Sequence, residues 1–132
     1  MEHLITSDFK LGIISGGQLG KMLTVSASNW DIQTYILRLG NVYGYSKSMR
    51  FDSVINKFMF EANFTNKIRI YGSGNQKRTF IHIDRLTSRL KNVAISSNLK
   101  PETYNLVESI FSINEVVDEL RELYPALEMT FV

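Results

Sequence analysis

The chain has 132 residues and no cysteine, which allows one domain's worth of core and excludes disulfides, thiolate metal sites and a cysteine nucleophile. Its 15 basic and 13 acidic side chains are mixed along the sequence and leave a net charge of only +2, so no nucleic-acid partner is expected. No run approaches the roughly 18 apolar residues of a membrane span. The opening MEHLITSDFK lacks an apolar leader block, so the expectation is a cytoplasmic protein without membrane contact.

Residues 10–15 read as a short apolar strand that ends at Gly16-Gly17. Leu19, Met22, Leu23, Ser26 and Ala27 then recur at helical spacing, which predicts a helix burying that stripe and ending at Asn29. Residues 32–39 form a second strand in which neither face is wholly polar, the pattern of a strand paired on both sides. It is expected between the 10–15 strand and a C-terminal strand such as 103–107. Residues 40–48 read as a loop. Phe51, Val54, Ile55, Phe58 and Met59 make a one-faced helix, with Asp52 in its first turn.

Residues 67–71 alternate as a strand, 72–75 are a turn, and 79–83 are a short strand whose following helix Asp84 can cap. Leu86, Leu90, Val93 and Ala94 give that helix its inner stripe. After a strand at 103–107, Ser112 and Glu115 have the spacing of a capping box, and Ile113, Val116, Val117, Leu120 and Tyr124 form the inner face of the last helix. Pro125 stops it, and 127–132 form a final strand. Strands alternating with helices predict an α/β fold with a small, mostly parallel sheet covered by helices. His3 and His82 are too far apart in sequence to suggest a metal site.

Ser15-Gly16-Gly17-Gln18-Leu19-Gly20 follows a strand and opens a helix, the context of a phosphate-binding turn. Gly16, Gly17 and Gly20 are therefore the candidate cofactor-binding residues. Two features depart from a NAD site: Ser15 stands where the first glycine belongs, and Arg38 stands near the expected acidic residue. The other reading is a tight turn for close strand–helix packing.

Two resemblances run through the chain. Residues 7–37, through SDFKLGIISGGQLGKML and DIQTYIL, resemble the N-terminus of N5-carboxyaminoimidazole ribonucleotide synthase, an ATP-grasp enzyme of purine synthesis. That family opens with a strand, GGGQLG and a helix. Its nucleotide-holding domain has no counterpart here, so the resemblance implies ancestry for the segment. Residues 38–132 resemble the C-terminal part of extended short-chain dehydrogenases, the NAD-dependent nucleotide-sugar epimerases and dehydratases. RLGNVYG at 38–44, SMRFDSVINKF at 48–58, IRIYGSGNQKRTFIHIDRL at 68–86 and ETYNLVESIFSINEVVDEL at 102–120 carry it. The two segments are expected to form one compact unit.

The second resemblance implies a partial Rossmann-like unit plus a remnant of the substrate-binding lobe, and it admits a nucleoside-diphosphate sugar as partner. By resemblance Asn41 and Arg78 contact substrate; an amide donor and a bidentate guanidinium suit a diphosphate. Gly72 and Gly74 complete the expected substrate-binding set, as a turn compact enough for a nucleotide to approach. His82 and Asp84 lie in the family's F-x-H-V-x-D block, and Arg85 stands where a second Asp is frequent. Asn41, His82 and Asp84 also have structural readings, as loop, core and cap residues.

The family's cofactor turn, catalytic Ser/Thr and Tyr-x-x-x-Lys helix all precede RLGNVYG, and another kind of segment replaces them. No catalytic residue and no bound cofactor are therefore expected in this chain, although the family uses NAD. Tyr43-Gly44-Tyr45-Ser46-Lys47 matches Tyr-x-x-x-Lys literally, but Gly44 and Ser46 are poor helix formers and the pair needs a shared helical face. The expected function is that of an epimerase/dehydratase fragment inactive by itself. The alternatives are a fragment of the purine-synthesis ligase and a non-catalytic α/β domain. The sequence leaves the oligomeric state open.

Overall fold

The computed structural model describes residues 8–132. His3 and most of the stretch read for a leader lie outside the described residues. The chain divides into two units, one built from the residues up to Leu39 with Thr87–Leu106, the other from Gly40–Leu86 with Val107–Val132. Among the described residues no helix is long and apolar enough to cross a membrane, and no cluster of side chains could hold a metal ion.

The first unit is a parallel sheet of β1 (Lys10–Ile14), β2 (Gln33–Leu39) and β6 (Thr103–Leu106), in the order β1-β2-β6. Lys10 pairs with Gln33 on one side of β2, and Ile36 pairs with Thr103 on the other. The two-sided pattern of 32–39 thus places that strand at the centre, as expected. Tyr35 and Leu37 are buried, and the Tyr35 hydroxyl donates to the Leu99 carbonyl at 3.1 Å, which ties down the loop before β6.

The helix α1 (Gln18–Ser28) links β1 to β2, but of the expected stripe it buries only Ala27. Gly20 and Ala27 face the sheet, while Leu19, Met22 and Leu23 are exposed. The small residues let the helix approach closely, and a sheet only three strands wide has no surface left for its apolar flank. The second half of α3 (Ile83–Ile95) also belongs to this unit; Leu90 and Val93 are half-buried and Ala94 is exposed.

The second unit holds two small sheets. β3 (Asn41–Tyr43), β5 (Lys77–His82) and β7 (Ser109–Ser112) lie in the order β3-β5-β7, with β3 parallel and β7 antiparallel to β5. β4 (Lys67–Ile70) pairs in parallel with β8 (Glu128–Phe131). The strands β3 and β7 correct the expected loop at 40–48 and the expected direct step from β6 to the last helix. Both are three or four residues long and pair far from themselves in sequence, so no local periodicity announces them.

The helices α2 (Val54–Thr65) and α4 (Ile113–Leu123) close this core around Phe58, Ala62, Ile68, Ile70, Phe80, Ile113, Val116, Val117, Leu120 and Leu127. The helix α2 starts two residues after Asp52, with Ser53 at its N-cap. Asp52 is therefore outside the first turn, and it pairs instead with Arg50 at 2.7 Å. Asn66 ends α2 in the left-handed conformation that a short amide side chain tolerates.

The capping box of α4 is present. The Glu115 backbone N–H donates to the Ser112 hydroxyl at 3.2 Å, and the Ser112 N–H donates to the Glu115 carboxylate at 2.6 Å. The Ser112 backbone N–H first, and then its hydroxyl, which donates to the same carboxylate at 2.8 Å, hold the Glu115 carboxyl below the ordinary range. A carboxylate lowered in the fold adds stability above its unfolded pKa, and that stability is lost as pH falls through the folded value. Ser112→Ala is expected to cost about 1 kcal/mol. In Glu115→Gln the deficit against wild type should be present near neutrality and close in acid, read from urea midpoints across a pH series.

Candidate functional site

The residues of interest in the second unit meet along β3 and β5. Asn41 lies opposite Phe80 and Tyr43 opposite His82, while Arg78 sits two residues before Phe80 on β5. Side chains two apart on a strand, and residues paired across strands, share a face. Asn41, Tyr43, Arg78 and His82 therefore project from one face, with the buried Phe80 ring between them. Across β7, Arg78 lies opposite Phe111.

Asn41 is exposed, and its amide donates to the Thr79 carbonyl at 3.0 Å. That bond uses one of the amide's two N–H donors and leaves its carbonyl oxygen with no partner among the described residues. Arg78 is exposed near the start of β5. His82 is held from several sides. Its backbone N–H donates to Glu108 at 3.1 Å, its Nδ1 accepts from the Asp84 N–H at 3.3 Å, and its ring meets Tyr43 edge-on at 5.1 Å. Glu108 also reaches the Arg85 guanidinium at 3.5 Å. Arg85 thus has a partner of its own, and Asp84 lies in the first turn of α3.

The turn at 72–75 is fastened to the start of α4. The Asn114 amide donates to the Ser73 carbonyl at 3.2 Å and to the Asn75 side chain at 3.0 Å, and its backbone N–H donates to the Gly74 carbonyl at 3.0 Å. Gly74 has φ +74, and a Cβ there would overlap Asn114 Oδ1. Close packing against Asn114 therefore accounts for this glycine without a ligand. Gly72, at φ +76, has open space around it.

Beside Tyr43 and His82 opens a largely apolar cavity of about 470 Å³, lined among others by Met49, Phe51, Ile55, Asn56 and Met59. Phe51 and Met59, expected as core, line this cavity instead. Asn56 organises its mouth by accepting the Gly44 N–H at 3.1 Å and donating to the Arg50 carbonyl at 3.0 Å. Neither Asn56 nor Glu108 was legible as a site residue, because each acts through partners distant in sequence.

Tyr43 ends a strand, and Gly44 follows at φ +106, so Tyr43 and Lys47 share no helical face. Burial, and secondarily Glu108, pushes the Tyr43 phenol above its ordinary pKa. A tyrosine serving as acid or base near neutrality needs the opposite shift.

The glycine turn stands in the first unit. A cavity of about 420 Å³ there is lined by Ser15, Gly16, Gly17, Gly20, Lys21 and Arg38, among others. The Gly17 N–H donates to Ser15 Oγ at 3.3 Å, and a Cβ on Gly20 would come within 2.8 Å of the Ser15 side chain. Arg38 packs over Gly16, 3.4 Å from where its Cβ would be. The serine thus occupies one of the donors that a cofactor phosphate would use, and a cation holds the place where a NAD ribose needs an acceptor. These residues do not fit NAD.

The structure is similar to a UDP-glucuronic acid 4-epimerase from Bacillus cereus, with a TM-score of 0.75 and 24% identity over 86% of this chain and 37% of that one. It is likewise similar to a NAD dependent NDP-hexosamine 5,6-dehydratase of tunicamycin biosynthesis (TM-score 0.73, 24% identity, 86% and 37% covered). A dTDP-glucose 4,6-dehydratase from Bacillus anthracis matches with a TM-score of 0.71 and 20% identity, again over 86% and 37%. At these identities the likeness shows the fold, and the chain spans little more than a third of each of these proteins. None of the curated proteins matches the sequence. The sequence profile of the NAD dependent epimerase/dehydratase family matches residues 19–106, about two-thirds of the chain. The chain therefore belongs to the NAD dependent epimerase/dehydratase family.

Proposed function

We propose that the chain is a fragment of a nucleotide-sugar epimerase or dehydratase that keeps the nucleotide-sugar side and does not turn over by itself. The observation that carries this reading is the common face of β3 and β5. It brings an amide and a guanidinium, Asn41 and Arg78, onto one surface. In this reading Arg78 takes the diphosphate and Asn41 one of its oxygens, with Gly72 and Gly74 shaping the approach. The loss of turnover is supported by the strand setting and raised pKa of Tyr43 and by the poor fit of the glycine turn to NAD.

Titration calorimetry with UDP, and with UDP- and dTDP-sugars, tests the binding half. A charge-assisted contact is worth about 1.5–3 kcal/mol, so Arg78→Ala is expected to weaken UDP binding about tenfold or more. Equal affinity in wild type and variant would make Arg78 a surface charge only. NADH fluorescence with a panel of nucleotide sugars tests the catalytic half: no signal is expected, and turnover abolished by Tyr43→Phe would overturn the reading.

A second reading concerns the start of the chain. The matched span begins at residue 19, which leaves β1 and the turn through Gly17 outside it. The match takes in α1 from Leu19 onward and β2, against the expected boundary at residue 38, so only the stretch before residue 19 is left to a second ancestry, on its likeness to the N-terminus of N5-carboxyaminoimidazole ribonucleotide synthase. A thermal shift with ATP or aminoimidazole ribonucleotide and none with UDP-sugars would favour a ligase fragment.

A further inference from the structure

In the second unit the stretch between β3 and α2, residues 44–53, forms no helix or strand. One side chain draws its two ends together. The Gly44 N–H donates to Asn56 Oδ1 at 3.1 Å, and Asn56 Nδ2 donates to the Arg50 carbonyl at 3.0 Å. Between these ends the loop closes on itself, with the Met49 N–H donating to the Ser46 carbonyl at 3.2 Å. A short loop pinched at its neck moves as a body about its end residues. Here those are Gly44, at φ +106, and Arg50. The loop carries Tyr45 and Phe51, which are 82% and 58% exposed although both line the cavity of about 470 Å³ beside Tyr43 and His82. Phe60 and Phe64 of α2 line it too; Phe51 meets Phe60 edge-on at 5.9 Å, and Phe60 lies 4.6 Å from Phe64.

We propose that this cavity binds an uncharged aromatic small molecule and that the loop at 44–53 swings on Gly44 and Arg50 to close over it. The lining sets the class of ligand. Tyr43, Tyr45, Phe51, Phe60, Phe64 and Tyr124 offer ring faces and edges, and aromatic rings gain from offset and edge-on contact with one another. No carboxylate, ammonium or guanidinium lines the cavity, so a charge on the ligand would lose water and gain no partner. The Tyr43 hydroxyl and the Asn63 amide have no partner among the described residues and are the groups that would orient a polar substituent. The volume lies within the range of about 300–1,000 Å³ that small-molecule sites occupy. Closure then covers Tyr45 and Phe51, the apolar side chains that the loop leaves in water. Neither Asn41 nor Arg78 lines the cavity, so this site stands apart from the diphosphate contacts and does not depend on them.

The test uses the full chain and N-phenyl-1-naphthylamine, an uncharged dye that brightens in apolar surroundings. Fluorescence titration is expected to give a dissociation constant between about 1 and 100 µM. The sulfonated analogue 8-anilinonaphthalene-1-sulfonate should bind about tenfold more weakly, because its charge finds no cation there. Hydrogen exchange reads the loop: with dye bound, the amides of residues 45–49 should slow about tenfold. Asn56→Ala unties the neck, and should speed exchange at Gly44 and weaken the dye, each about tenfold. Asn56→Asp keeps the acceptor for Gly44 and loses the donor to Arg50, so it should fall between, and it serves if the alanine variant does not fold. Phe64→Ala, on an exposed helix flank, should weaken the dye about threefold and leave loop exchange in the free protein unchanged. A chain that binds no dye overturns the proposal. So does dye bound with no slowing at 45–49, a sulfonate bound as tightly as the neutral dye, or affinity indifferent to both Asn56→Asp and Phe64→Ala.

Discussion

Phe80→Ala is expected to remove about 3–5 kcal/mol from the stability of the second unit, the largest single effect foreseen for this protein. Phe80 is 1% exposed and sits on the central strand of β3-β5-β7. Its ring meets Tyr43 edge-on at 6.5 Å and Phe111 at 6.5 Å, and it packs in one cluster with Ile70, Ile113 and Val117. Truncation leaves a void among side chains anchored to two sheets and two helices, which cannot all collapse inward. Urea denaturation measures it. A loss below about 1 kcal/mol would mean that the surroundings relax into the space and that the core is far softer than its burial implies.

Gly44→Ala is expected to cost about 2–4 kcal/mol, from backbone strain and overlap together. Gly44 has φ +106, where an L side chain is strained, and its Cβ would lie 2.6 Å from His82 Nε2 and 3.0 Å from Ile83 Cγ2. Neither neighbour is free to retreat. The His82 backbone is bonded to Glu108 and its ring is packed on Tyr43, while Ile83 opens α3. The variant should therefore move the imidazole and disturb the adjoining cavity. A shifted His82 ring resonance together with a lower urea midpoint is the expected signature. An unchanged midpoint would show that the loop readjusts without strain.

Several features of the fold were legible because their causes are local. The capping box needs only Ser112 and Glu115 at the right spacing, and both bonds are made. The inner face of α4 follows from a strong period, so Ile113, Val116, Val117 and Leu120 are buried as expected. The two-sided apolar character of 32–39 placed it at the centre of its sheet. Where the period was right and the face wrong, as in α1, the deciding quantity was absent from the helix itself: the width of the sheet beneath it. Leu19, Met22, Leu23, Ser26 and Ala27 have a helical stripe's spacing, yet of these only Ala27 is buried, with Gly20 beside it. Phe51 and Met59 behave alike in the second unit, where they line a cavity instead of filling a core.

The sequence by itself determined the α/β class, most helix and strand positions, and the four blocks that mark the epimerase/dehydratase family, since propensity, capping and hydrophobic period act over a few neighbouring residues. Only the tertiary structure decided that Asn41 and Arg78 share a face, that Glu108 and Asn56 hold the region around His82 and Gly44, and that Tyr43 stands on a strand with its proton held more tightly. It also decided that, among the described residues, β1 pairs on one edge alone. Each of these depends on segments distant in the chain coming together, and strand pairing and burial, which fix face, edge and pKa, are properties of that encounter and not of any single stretch.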